Sequence, residues 1–205
     1  MRAACLAVVL AWAVPAAAAV SEEAAGKMMK DTVDQALVIL RDPGLQGLEN
    51  RGKRWSKLRA LSDTVFDWAA MAQRSLGVHW RSLDDGQRKR FVDVFKELIA
   101  ANYLGQIDAF QGEEKLNFVG NESTSKGEVW VNMELITQSR QKVPIAFLVA
   151  DANKVKDVKI EQISITSHYR DSLNRIFVNG GFDAAMKKLE AKAAANRRLA
   201  EKAAE

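Results

Sequence analysis

Large apolar residues recur along the chain with two different periods, and the change of period divides it. Residues 22–40 place Met28, Val33, Leu37 and Leu40 near helical spacing, which predicts a first helix. Asp42-Pro43-Gly44 stops it, because proline lacks a backbone donor and disfavours helix in the residue before it. Trp55, Leu58 and Leu61 share one side of a second helix over residues 53–65. Asp67 is placed to cap a third helix that runs to Leu76 and ends at Gly77. Ser82 or Asp84 begins the fourth and longest, reaching about Phe110, with Phe91, Val94, Phe95, Leu98, Ile99 and Tyr103 in one broad stripe.

From Lys115 to Ile165 the pattern becomes alternation. Val129, Val131, Met133 and Leu135 share one strand face, and Val143, Ile145, Phe147 and Val149 share another. Polar turns are predicted over residues 121–127 and 138–142. In the last strand Val158 and Ile160 have even parity but Ile163 and Ile165 odd, so Glu161-Gln162 is expected to be a bulge or bend. Two helices follow, residues 169–178 and Phe182 onward, separated by Asn179-Gly180-Gly181. Beyond Leu189 the sequence has high helix propensity but few core-forming residues, so a solvated, fraying tail is expected. The sum is an α+β fold: helices packed on one face of a twisted four-stranded antiparallel sheet.

The first 19 residues read as a cleaved export signal. Arg2 precedes an apolar run over residues 3–14, Pro15 breaks it, and the alanines at 16–19 offer a cleavage site near Ala19. Residues 20–205 are then expected to form one domain in the periplasm. Cys5, the only cysteine, lies inside that leader, so no disulfide framework supports the mature fold. The formal charge is +4, without the basic stripe and interleaved aromatics of a nucleic-acid binder. No phosphate loop, nucleophile elbow or metal-binding helix motif occurs, and His79 and His168 stand far apart without clustered carboxylates. His79, beside Trp80, reads as a helix-end or interface residue. No metal, cofactor or catalytic residue is therefore expected. Residues 66–110 are dense in large apolar side chains and lack a paired catalytic group, which suggests a protein that holds something apolar.

Phe66-Asp67, Met71-Ala72, Leu76-Gly77, Trp80, Leu83, Gln87, Phe91, Phe95, Leu98 and Tyr103, in that order, resemble the helical signature of the MlaC-type family. These are periplasmic substrate-binding proteins associated with toluene tolerance and phospholipid trafficking. A second match combines Asp157-Val158, Ile160-Glu161, Ile163-Ser164, Tyr169-Arg170 and Gly180-Gly181-Phe182-Asp183. Three departures stand out: Gln162 where glycine is common, His168 where asparagine often precedes Tyr-Arg, and residues 151–154 without the usual Gly-Gly-Trp. The resemblance implies a nuclear-transport-factor-like cone that takes phospholipid tails between helices and sheet and leaves the headgroup largely outside. It also implies two partners, an outer-membrane lipoprotein complex and an inner-membrane ABC transporter, with transient membrane proximity, and a monomer is expected.

Such a carrier needs no chemistry. Two acyl chains contain roughly 30 methylenes, each costing about 0.8 kcal/mol to expose, so unassisted desorption faces a barrier on the order of 20 kcal/mol. On this reading the cavity wall is expected from Phe66, Met71, Leu76, Trp80 and Tyr103 on the helices. The strands are expected to add Val131, Ile145, Phe147, Val158 and Ile163, and the C-terminal segment Tyr169 and Phe182. Each of these positions serves equally well as ordinary core. Lys159 and Arg170 are candidates for a headgroup phosphate, with Arg170 alternatively pairing Asp67 or Asp183. Other readings are a carrier of another envelope lipid such as a hopanoid, a cone-fold hydrolase or isomerase, and an adaptor with a filled core.

Overall fold

The computed structural model describes residues 20–108 and 113–202. The expected leader and the end of the fourth helix at Phe110 lie outside the described residues. Helix α1 spans Glu22–Arg41, and the Ser21 hydroxyl caps it by accepting from the Ala24 amide at 3.1 Å. Pro43 opens a single 3-10 turn, Pro43–Leu45, and α2 follows as Arg51–Val65. Helix α3, Trp68–Leu76, is capped by Asp67, whose Oδ1 accepts from the Ala70 amide at 2.9 Å. It ends where Gly77 takes φ 56°, a left-handed conformation that glycine adopts without strain. Helix α4, Asp85–Asp108, takes its N-terminal cap from Asp84 and not Ser82. Asp84 and Gln87 form a reciprocal capping box, amide to side chain in both directions at 2.8 and 3.1 Å.

The strands β1 (Lys115–Ser123), β2 (Val129–Ile136), β3 (Lys142–Ala150), β4 (Lys154–Ile160) and β5 (Ile163–Ser164) form an antiparallel meander in chain order. Five strands replace the expected four. Glu161 and Gln162 have φ of 50° and 69°, the signature of a two-residue hairpin turn of the I′ kind. The chain therefore reverses fully where a bulge or bend was expected, and Ile163 pairs back onto Ile160. The change of parity in the sequence marks that reversal.

Pairing of Val131 with Phe147 and Phe147 with Val158 puts the apolar residues of three strands on one sheet face. Helices cover that face. The buried core joins Ala25 and Met29 of α1, Met71 and Leu76 of α3, and Phe91, Phe95 and Leu98 of α4 to Val129, Val131, Val149 and Val155 of the sheet. Two junctions fix the helices to β4. The Asp67 amide donates to the Val155 carbonyl at 2.9 Å, and Phe66 bridges Val155 in parallel, so the α2–α3 link is tied to the sheet. The buried Asp157 carboxylate accepts from the Thr166 amide at 3.1 Å and the Ser164 hydroxyl at 2.6 Å.

Helix α5 spans Ile165–Lys202 and kinks at Gly181 (φ 66°, ψ −162°), which joins the two expected helices into one bent element. Beyond Leu189 most residues are exposed, but one edge of the helix meets α4. Ala193 is buried, Asn196 donates to Asn102, and Arg197 pairs with Glu97. Small alanines permit that close approach, and polar side chains at the ends of the contact fasten it.

Candidate binding cavity

Where α2, α3 and α4 lie over β3 and β4, the packing leaves a cavity of about 410 Å³. Its floor is a ladder of cross-strand neighbours: Ile145 opposite Ile160, and Phe147 opposite Val158. Phe66 and Trp68 stack with ring centroids 5.1 Å apart and, with Met71, form the side held by the α2–α3 junction. Helix α2 contributes Trp55, Leu58 and Ser62, α4 contributes Ile99, Ala100 and Tyr103, and Ile165 at the start of α5 completes the wall. The lining is nearly all hydrocarbon. Its ionisable members among the described residues are Arg59, Lys96 and Tyr103.

Burial pushes the Tyr103 hydroxyl above the usual phenol range, with the neighbouring Tyr169 adding to the effect. Tyr103 is therefore a neutral wall residue. At the rim, Arg59 donates to Glu97 Oε2 at 2.7 Å, and Lys96 pairs with Asp63 at 2.5 Å. Burial alone would raise the Glu97 carboxyl, but Arg59 and Arg197 together hold it below the usual range. The indole N–H of Trp68 donates to the same Asp63 oxygen at 3.0 Å.

Six of the twelve wall residues expected from the sequence meet on this cavity: Phe66, Met71, Tyr103, Ile145, Phe147 and Val158. The others lie elsewhere. Leu76 and Val131 are fully buried in the core beside it. Trp80 sits in the 3-10 segment Gly77–Ser82, beneath the Arg88 guanidinium. Tyr169 and Phe95 meet in a T-shaped contact, and the Tyr169 hydroxyl accepts a hydrogen bond from Asn102. Phe182 meets Phe177 across the α5 kink. Ile163 pairs with the floor residue Ile160 but lies on the edge strand β5, outside the cavity, and is 62% exposed.

Neither headgroup candidate reaches the cavity. Lys159 alternates with the floor residues Val158 and Ile160, so it lies on the opposite face, over the Trp130 ring at 3.9 Å. Arg170 donates to the Arg74 carbonyl at 3.0 Å and pairs with neither Asp67 nor Asp183. His79 bonds Asn174 at 2.8 Å and stacks on Phe177, an interface role between the 3-10 segment and α5. The wall residues missed from the sequence are chiefly those of α2 and the rim. Trp55 and Leu58 were visible as a helical stripe, but nothing local tied that stripe to the sheet.

An antiparallel sheet covered by helices, with an open apolar cavity between the layers, defines an α+β protein built around a hydrophobic cavity. The chain belongs to the MlaC protein family, whose sequence profile matches residues 30–191. A similar solved structure is that of the phospholipid-binding protein from Ralstonia solanacearum in complex with a phospholipid. It superposes with a TM-score of 0.72 over 84% of this chain and 98% of that one, at 21% identity, a likeness that shows the fold. No match to a curated protein sequence reaches significance.

Proposed function

We propose that this protein is a phospholipid carrier of the cell envelope, moving lipid through the periplasm between the outer and inner membranes. The observation that carries the reading is the hydrocarbon-walled cavity of about 410 Å³ between the helices and the β3–β4 floor. Membership of the MlaC family supports it, as does the fold shared with a structure that contains a phospholipid. Acyl chain enters against Phe66, Met71, Tyr103, Ile145, Phe147 and Val158, and the glycerophosphate end stays at the Arg59–Lys96 rim. Burial of methylenes at about 0.8 kcal/mol each supplies the affinity.

On this reading the protein binds and does not transform its ligand. Residues 1–19 direct export and are removed near Ala19. An outer-membrane lipoprotein complex and an inner-membrane ABC transporter act as donor and acceptor, because the chain carries no nucleotide-binding motif to supply direction. The test is uptake of a fluorescent-tailed phospholipid from vesicles by the purified mature protein. Saturable uptake near one lipid per chain, with the lipid recovered unmodified, is expected. Recovery of a cleaved or altered lipid would instead favour a hydrolase, and no uptake would remove the carrier reading.

A further inference from the structure

We propose that the cavity rim recognises the headgroup of a zwitterionic glycerophospholipid, one bearing a phosphate and an ammonium together. The inference rests on the carrier reading and names the lipid class for the same site. Arg59 of α2 and Lys96 of α4 are the two charged side chains on the cavity wall among the described residues. Arg59 and Asp63 stand one turn apart on α2, while Lys96 and Glu97 are consecutive on α4. The cross-pairs Arg59–Glu97 and Lys96–Asp63 therefore alternate in sign across the helix crossing.

The donors and acceptors at this rim are unequally used. Glu97 gives Oε2 to Arg59 and Oε1 to Arg197 of the α5 tail, so both its oxygens are engaged. Asp63 differs. Lys96 and the Trp68 indole both address its Oδ1, which fixes the carboxylate and leaves Oδ2 to accept another cation. Arg59 spends Nη1 on Glu97, and its remaining N–H groups, with those of Lys96, suit phosphate oxygens.

All four side chains are partly exposed: Arg59 and Asp63 41%, Lys96 and Glu97 25%. Ion pairs in that setting are weak and exchange readily with a ligand. A phosphate between Arg59 and Lys96 places an ethanolamine-type ammonium, two carbons away, within reach of Asp63 one helical turn along. An anionic headgroup with no ammonium would add negative charge beside Asp63 and bring no cation to its Oδ2.

The experiment offers the purified protein vesicles with equal amounts of phosphatidylethanolamine and phosphatidylglycerol of identical acyl chains, then extracts and quantifies what is bound. Wild type is expected to retain the ethanolamine lipid at least about threefold over the glycerol lipid, the scale of one partly exposed charge contact. Asp63→Asn is expected to bring that ratio towards one. Equal loading by wild type, a preference for phosphatidylglycerol, or an undiminished ratio in folded Asp63→Asn would overturn the headgroup assignment and leave the carrier reading standing. If Asp63→Asn does not fold, the wild-type ratio decides alone. Loading of neither lipid removes the carrier reading and this assignment with it. Soluble phosphoethanolamine at equimolar amounts should not displace the lipid; displacement would show a site for a small soluble ligand instead.

Discussion

Phe147 on β3 and Val158 on β4 stand directly opposite one another in antiparallel register, and both face the cavity. Their strands are held together by main-chain hydrogen bonds, so the floor does not depend on what occupies the space above it. The roof differs, since α2 meets α4 at the rim through the pairs Arg59–Glu97 and Lys96–Asp63. A firm floor beneath a roof fastened by partly exposed ion pairs suits a ligand that must enter and leave.

Replacing Phe147 with Asp puts a charge in the middle of that floor. Phe147 is only partly buried and faces the open cavity, where a carboxylate can stay hydrated, so the fold is expected to survive. Phospholipid loading is expected to fall at least tenfold, about 1.4 kcal/mol in binding, while the far-ultraviolet circular dichroism stays that of wild type. Unchanged loading would remove Phe147 from the binding surface.

Asp157 anchors the start of α5 from inside the structure, at 4% exposure. Asp157→Ala leaves the Thr166 amide and Ser164 hydroxyl without their acceptor. The expected cost is about 1–3 kcal/mol. In a chain of this size that lowers Tm by roughly 2–4 °C per kcal/mol, read by thermal melting. A melting temperature within error of wild type would contradict the anchoring role.

Gly181 tests the kink in α5. Its φ of 66° with ψ of −162° belongs to a region that is essentially glycine's alone, yet a Cβ there would touch nothing within 4 Å. Gly181→Ala is therefore expected to cost about 1–3 kcal/mol through backbone strain alone. Denaturant melts give the value, and a neutral substitution would mean that the bend straightens at no cost.

The Glu97 carboxyl titrates below its ordinary range: burial opposes ionisation, and Arg59 and Arg197 outweigh it. A folded-state pKa below the unfolded one stabilises the protein above the unfolded value. That contribution is lost as pH falls through the folded value. Wild type should thus melt higher than Glu97→Gln at neutral pH, and the difference should shrink as the solution is acidified below the carboxylate range. A gap that stays constant, or widens, on acidification would contradict the pairing.

Most of the helices were legible because their ends carry chemistry. Asp67, Asp84 and Gly77 do at their termini what their types allow. Strand faces were legible from alternation, which is why Ile145, Phe147 and Val158 emerged together. The β4–β5 reversal was not, since Glu161 and Gln162 are uncommon at positive φ, and neither is the glycine or asparagine that signals such a turn. Leu76 and Val131 show a second limit: a stripe gives the inward side of an element, but not whether it meets packed neighbours or open space. The rim pairs Arg59–Glu97 and Lys96–Asp63 join residues far apart in sequence, and only the crossing of α2 and α4 makes them neighbours.

The proposed role requires the cavity to hold phospholipid. Native mass spectrometry of the exported protein, purified from the cells that make it and combined with lipid extraction, measures this directly. The expected result is a mass increment of one phospholipid per chain that disappears on extraction and is reduced in Phe147→Asp. A protein that is consistently ligand-free, and that takes up no labelled phospholipid from vesicles, would contradict it.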